Sequence, residues 1–167
     1  MRVYTGLPLR NLEELPDQAK HAEALGFDGI TVSETGHDPF GLLAVAAVHT
    51  KRVALGTSIA IASTRSPMSI AHTAWDLQTL SHGRFELGLG TSLKPLNEHL
   101  YSVPWSHPAP RMREYVQSLR AIWECWQNGT QLNYQGKHYA FSLMTERFSP
   151  GAMKYQPVPV YLAAVGP

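Results

Sequence analysis

The sequence predicts an α/β fold in which parallel strands are covered by helices, and three observations carry that prediction. Four short apolar runs between Val3 and Leu89 are separated by three helical patterns, the order that sets parallel strands beside outer helices. Two of the runs close in small polar residues, Gly56-Thr57-Ser58 and Gly90-Thr91-Ser92, so their backbones can approach a flat ligand. The first run ends in Gly6-Leu7-Pro8 and not in a G-x-G-x-x-G turn, which argues against a dinucleotide fold. Gly88-Leu89-Gly90 lies late in the chain within a strand end, weak evidence for a phosphate cradle. Periodicity leaves a closed barrel and an open doubly wound sheet both standing.

Each element follows from local chemistry. Val3 to Leu7 is the first strand. Asn11 and Glu14 have capping-box spacing, and Leu12, Leu15, Ala19, Ala22 and Leu25 form one apolar helical face. Pro16 fits if the helix begins at Leu15, where its missing donor is not needed; Gly26 ends it. Gly29 to Ser33 is the second strand, and Asp38-Pro39 reads as N-cap and first position of a helix through Leu42, Leu43, Val45 and Ala46 to the basic His49, Lys51 and Arg52. Val53 to Thr57 is the third strand. Ser66-Pro67 starts a helix with Ile70, Ala74, Leu77 and Leu80 inward, ended by Ser81-His82-Gly83 before the fourth strand, Phe85 to Leu89. Arg111 to Trp126 is a strong amphipathic helix facing inward through Tyr115, Leu119, Ile122 and Trp126, stopped by Gly129. Leu132–Tyr134 and His138–Phe141 flank Gln135-Gly136 as a hairpin, and Val160 to Ala164 is the fifth strand.

Composition narrows the function. The chain has 167 residues, 44% hydrophobic, enough to bury a core. With 14 basic and 13 acidic residues the net charge is +1, which gives no reason to expect nucleic acid. Neither a signal peptide nor a membrane-spanning apolar run is visible, so a cytoplasmic location without membrane contact is expected. The single Cys125 sits in the helical pattern as a core residue. His21, His49, His72, His82, His99 and His138 have no metal-ligand spacing among them, so no metal is expected.

Motifs add a resemblance. GFDGITVSE at Gly26 to Glu34, VALGTSIAI at Val53 to Ile61, RSPM at Arg65 to Met68, and DLQTLSHGRFELGLGTS at Asp76 to Ser92 resemble the luciferase-like flavin and deazaflavin oxidoreductases. SETGHDPF at Ser33 to Phe40 and PWSHPAPRMREY at Pro104 to Tyr115 are similar to segments of the coenzyme F420-dependent branch. The resemblance covers the whole chain. It implies a TIM (β/α)8 barrel of the luciferase-like type with its cofactor at the C-terminal ends of the strands. A barrel needs eight strands and roughly 250 residues, so five strands make residues 1–167 the N-terminal portion of a single barrel domain, with 93–110 and 127–157 as insertions at the barrel ends.

The resemblance implies a non-proline cis peptide at Ser58-Ile59, bulging against the back of the isoalloxazine or deazaflavin ring. Gly56, Thr57, Ser58, Ile59 and Thr91 are the expected cofactor-binding residues; Thr57 and Thr91 either meet the pyrimidine edge or satisfy local backbone groups. Glu34 either orients substrate or relays a proton, or it pairs with Arg65 or caps a helix. His37 and His107 are the candidate acids. Gly56, Ser58, Thr91 and Glu34 are expected to open onto one cavity. Relatives of the sugar-phosphate dehydrogenase type carry Asp-His after the second strand and Glu soon after the fourth. Glu34-Thr35 and Leu93-Lys94 stand there instead, which argues against that activity.

The expected function is F420-dependent hydride transfer to or from a small organic substrate. The alternatives are an FMN-dependent luciferase-like monooxygenase and a catalytically silent partial barrel with a structural or oligomerising role. A homo-oligomer is expected. The chain alone is expected to leave its first and fifth strands as open edges, to bind neither cofactor tightly, and to associate through those edges.

Overall fold

A computed structural model describes residues 1–164. The chain forms two compact units. The first combines Met1–Ala60, Ala74–Gly90 and the described residues from Tyr155 to Ala164; the second combines Ile61–Thr73 and Thr91–Lys154.

The strands and helices of the first unit are β1 (Tyr4–Gly6), α1 (Leu15–Ala24), β2 (Gly29–Val32), α2 (Pro39–His49), β3 (Ala54–Thr57), the start of β4 (Ala60–Ile61), the second half of α3 (Pro67–Leu80), β5 (Phe85–Gly90) and β8 (Val160–Leu162). Parallel pairing runs β1 to β2, β2 to β3, β3 to β5 and β5 to β8. The short strand β4 was not foreseen in the sequence.

Register separates two faces. Ile30, Leu55 and Phe85 align across β2, β3 and β5, and Leu87 follows on the same face; all four are fully buried. Helix α2 covers that face, its Phe40 ring 6.5 Å from the ring of Phe85. The alternate positions carry Tyr4, Thr31, Gly56, Glu86, Gly88 and Tyr161 on the opposite, inner face.

Local signals place the helices as expected. Asp38 caps α2, accepting from Phe40 N at 2.9 Å, and Pro16 lies in the first turn of α1. Asn11 caps a short 3-10 turn, Leu12–Glu14, ahead of α1. That turn takes Leu12 off the helical face, so only Leu15, Ala19 and Ala22 are buried there, while Leu12 and Leu25 are exposed. Leu80 is exposed as well, at the last position of α3.

Two charged residues bind the α2–β3 connection at the strands' N-terminal end. The Glu23 carboxylate accepts from the backbone N–H groups of Lys51, Arg52 and Val53 at 2.6–3.1 Å. Burial alone pushes this carboxyl up, but the three donors hold it below the ordinary value. The Arg84 guanidinium donates to the carbonyls of Ala47, Thr50, Val53 and Ser81 at 2.7–3.0 Å. It thereby closes the C-terminal end of α2, and its pKa is lowered by burial.

The second unit is organised by α4 (Pro108–Asn128), which starts after His107 in the left-handed region (φ 42°) and ends at Gly129 (φ 65°). The expected stripe Tyr115, Leu119, Ile122 and Trp126 is buried, together with Trp123 and Cys125. Trp123 Nε1 donates to Ala71 O at 3.2 Å, and Trp126 Nε1 to Met144 Sδ at 3.4 Å. The hairpin forms as β6 (Tyr134–Gln135) and β7 (Ala140–Phe141), antiparallel and shorter than the sequence suggests. Glu114 of α4 accepts from the N–H groups of Lys137, His138 and Tyr139 at 2.6–3.3 Å.

Candidate functional site

In the first unit the inner sheet face borders a cavity of about 570 Å³. Its wall contains Gly56, Thr57, Ser58 and Ile59, so four of the five expected cofactor residues come together. The Ser58-Ile59 peptide is cis, as expected.

Neighbouring strands hold this segment through its backbone. Ser58 N donates to Val32 O at 2.9 Å, Ser33 Oγ donates to Ser58 O at 2.7 Å, and Glu34 N donates to Ile59 O at 3.0 Å. Thr57 Oγ1 donates to Gly88 O at 2.6 Å and accepts from Gly88 N at 2.9 Å, so its hydroxyl stands in for a rung of the sheet. The Thr57 hydroxyl therefore satisfies backbone groups, but those of a neighbouring strand and not of its own segment. Gly88 has no room for a side chain, because a Cβ would overlap the Thr57 carbonyl. At Gly90 a Cβ would come within 2.8 Å of the Ile59 side chain. At Gly56 the same atom would meet only ordinary contacts, 3.6 Å from Glu86 O and Thr31 Cγ2. Close strand approach therefore requires Gly88, whereas Gly56 keeps the cavity wall low.

Glu34 and Thr91 depart from the expectation of one shared cavity. Glu34 is tied by its backbone to Ile59 but does not line the 570 Å³ space. Thr91 lines a narrow crevice of the second unit with Ser63, Trp105, Arg111 and Tyr139. His37 is exposed in the loop before α2. His107 is exposed at the N-cap of α4, its ring 5.9 Å from that of His138. Among the described residues no cluster of His, Cys, Asp and Glu is arranged to hold a metal.

Three inner-face residues were missed in the sequence. Tyr4 Oη donates to the Glu86 carboxylate at 3.0–3.1 Å, and Arg2 Nη1 pairs with it at 3.1 Å. Burial, then the hydrogen bond to Glu86, pushes the Tyr4 phenol up to about 12. The signal was the two-residue alternation Tyr4/Gly6, Gly29/Thr31 and Glu86/Gly88, which marks one polar face. Asn97 was also missed. It is fully buried in a π-helical turn, Leu96–Leu100. Its side chain accepts from Ser63 Oγ in a short hydrogen bond and donates to Thr91 O and Leu93 O at 3.0 and 2.9 Å.

Comparison with known proteins decides the lineage. The profile of the luciferase-like monooxygenases matches residues 2–167. The chain belongs to that family.

Within it, an uncharacterized protein of Mycobacterium tuberculosis is 51% identical over 93% of this chain and 46% of its own length. An F420-dependent glucose-6-phosphate dehydrogenase of Intrasporangium calvum is 34% identical over 92% and 48%. This luciferase-like chain thus spans about half the length of the curated relatives it matches. Two solved structures share the fold. Monooxygenase RslO1 from Streptomyces bottropensis superposes with a TM-score of 0.81 at 22% identity, covering 97% of this chain and 53% of that one. The oxygenating constituent of 3,6-diketocamphane monooxygenase from Pseudomonas putida, in complex with FMN, does so at 0.74 and 19%, covering 93% and 51%. The parallel sheet with its outer helices is therefore part of a luciferase-like TIM barrel. No helix among the described residues is long and apolar enough to cross a membrane.

Proposed function

We propose that this chain supplies the cofactor wall of an F420-dependent oxidoreductase that transfers hydride to or from a small organic substrate. The observation that carries the reading is the low, backbone-fixed wall formed by Gly56, Ser58 and Gly88 beside a cavity of about 570 Å³. That size falls in the range of small-molecule sites, about 300–1,000 Å³. The 34% identity to an F420-dependent enzyme supports F420 as the ligand.

The residues fit a planar ring. Gly56 and Gly88 present no side chain, and the Ser58-Ile59 segment is pinned by Val32, Ser33 and Glu34, which keeps it in place without a ligand. Bound deazaflavin supplies a ring carbon that accepts and donates hydride. The protein's part is to support one ring face with Ser58 and Ile59 and to leave the other to substrate. Glu34, anchored at Ile59, is the group proposed to orient substrate or exchange its proton, with His37 as the second candidate acid.

Titration with F420 and with FMN, followed by the fluorescence of each, tests this. Affinity is expected to be weak for a chain of half the relatives' length, and the preference is the readout: F420 is expected to bind more tightly than FMN. Tight FMN binding without F420 affinity would overturn the proposal. We further propose a homo-oligomer. Tyr161 and Leu162 of β8 are about half exposed, and size-exclusion chromatography giving a monomer would remove that idea.

A further inference from the structure

We propose that the second unit carries a carboxylate subsite centred on Arg111, which takes the charged end of a small organic acid. The crevice lined by Ser63, Trp105, Arg111, Met112 and Tyr139 offers about 20 Å³, room for one water-sized group. It is far too small for a cofactor ring or a whole substrate. One oxygen of a head group fits it.

The charge of Arg111 is held and unspent. Its Nε donates to Tyr139 Oη at 2.9 Å, and its guanidinium carbon stands 5.6 Å from the Tyr139 ring centroid. Nothing among the described residues accepts from the terminal nitrogens or pairs with them as a carboxylate. Glu114 lies three residues further along α4, but its oxygens accept from three backbone N–H groups of the hairpin. The Ser63 hydroxyl is committed to Asn97. Trp105 Nε1 has no hydrogen-bond partner among the described residues, and the indole lines the same crevice as the guanidinium.

Anion chemistry follows from that set. A guanidinium oriented by one edge presents its remaining N–H groups as a fork, which matches a planar carboxylate. Pro104, Met112 and the Trp105 ring supply apolar wall for attached carbons. The subsite rests on the second unit alone and is independent of the cofactor assignment.

Benzoate, neutral benzamide and inorganic phosphate are the probes, titrated into the whole chain with the Trp105 Nε1–H and Arg111 Nε–H resonances as local readouts. Benzoate is expected to shift both saturably and benzamide to shift neither. Arg111→Gln is expected to weaken benzoate by about tenfold or more, with Arg111→Lys in between. Should Arg111→Gln fail to fold, Arg111→Lys and the benzamide comparison decide. No saturable shift with benzoate, an equal response to benzamide, equal occupation by phosphate, or full affinity in a folded Arg111→Gln variant would each overturn the proposal.

Discussion

The two units are held together in different ways. In the first, strand meets strand, and the cavity wall is shaped by what side chains leave out: Gly88 leaves room for the Thr57 carbonyl, and Thr57 gives its hydroxyl to the ladder. In the second, single side chains reach across loops. Asn97 gathers Ser63, Thr91 and Leu93, and Glu114 gathers Lys137, His138 and Tyr139. A wall built from backbone resists polar substitution but not added volume, whereas a side-chain hub fails when its polar atoms are removed.

The largest expected effect tests the first half of that contrast. Gly88→Val places atoms on the Thr57 carbonyl and is expected to cost more than about 3 kcal/mol, read as a fall in the urea midpoint. Gly56→Ala meets ordinary contacts and is expected to cost about 1 kcal/mol or less. Equal costs at the two glycines would break the account of a backbone-shaped wall.

Asn97→Ala tests the second half. It removes the acceptor of the Ser63 hydroxyl and the amide donor to Thr91 O, while Leu93 O keeps the backbone N–H of residue 97, a loss of about 1–3 kcal/mol, with faster hydrogen exchange confined to residues 61–65 and 91–106. Unchanged exchange there would mean that Asn97 is not the hub.

Acid titration sharpens the comparison because each unit has one carboxylate fed by three backbone donors. Hydrogen bonding to His138 is the leading reason that the Glu114 carboxyl lies below its ordinary value. At Glu23 burial opposes the shift, and the donors at Arg52, Val53 and Lys51 outweigh it. A lowered folded pKa means that the unfolded chain binds more protons, so stability is fully present above the ordinary Glu value, about 4.3, and is lost as pH falls towards the folded values. Glu23→Gln and Glu114→Gln are each expected to flatten the acid limb of a urea-midpoint-versus-pH curve. A limb as steep as in the parent would remove that carboxylate from the account.

The smallest effect is expected at Ser58. Its backbone carries the bonds to Val32 and Ser33, so Ser58→Ala should change stability by less than about 0.5 kcal/mol in thermal unfolding. A larger loss would show that the hydroxyl is structural, not reserved for a ligand.

The sequence by itself determined what local rules govern. Strand–helix alternation, the Asp38 cap, the stops at Gly26 and Gly129, and the buried stripe of α4 all follow from periodicity and capping within a few residues, and they appear in the structure. The motifs located the Ser58-Ile59 segment as well. Tertiary structure alone decided where distant polar groups go. Thr57 meets Gly88 31 residues away, Arg84 closes a helix 37 residues earlier in the chain, and Glu114 caps a hairpin 23–25 residues on. It also parted Thr91 from the cavity wall and assigned it to the crevice with Arg111. A hydroxyl or carboxylate has the same local propensity whichever donor it finds, and only the packing of remote segments brings one donor within 3 Å.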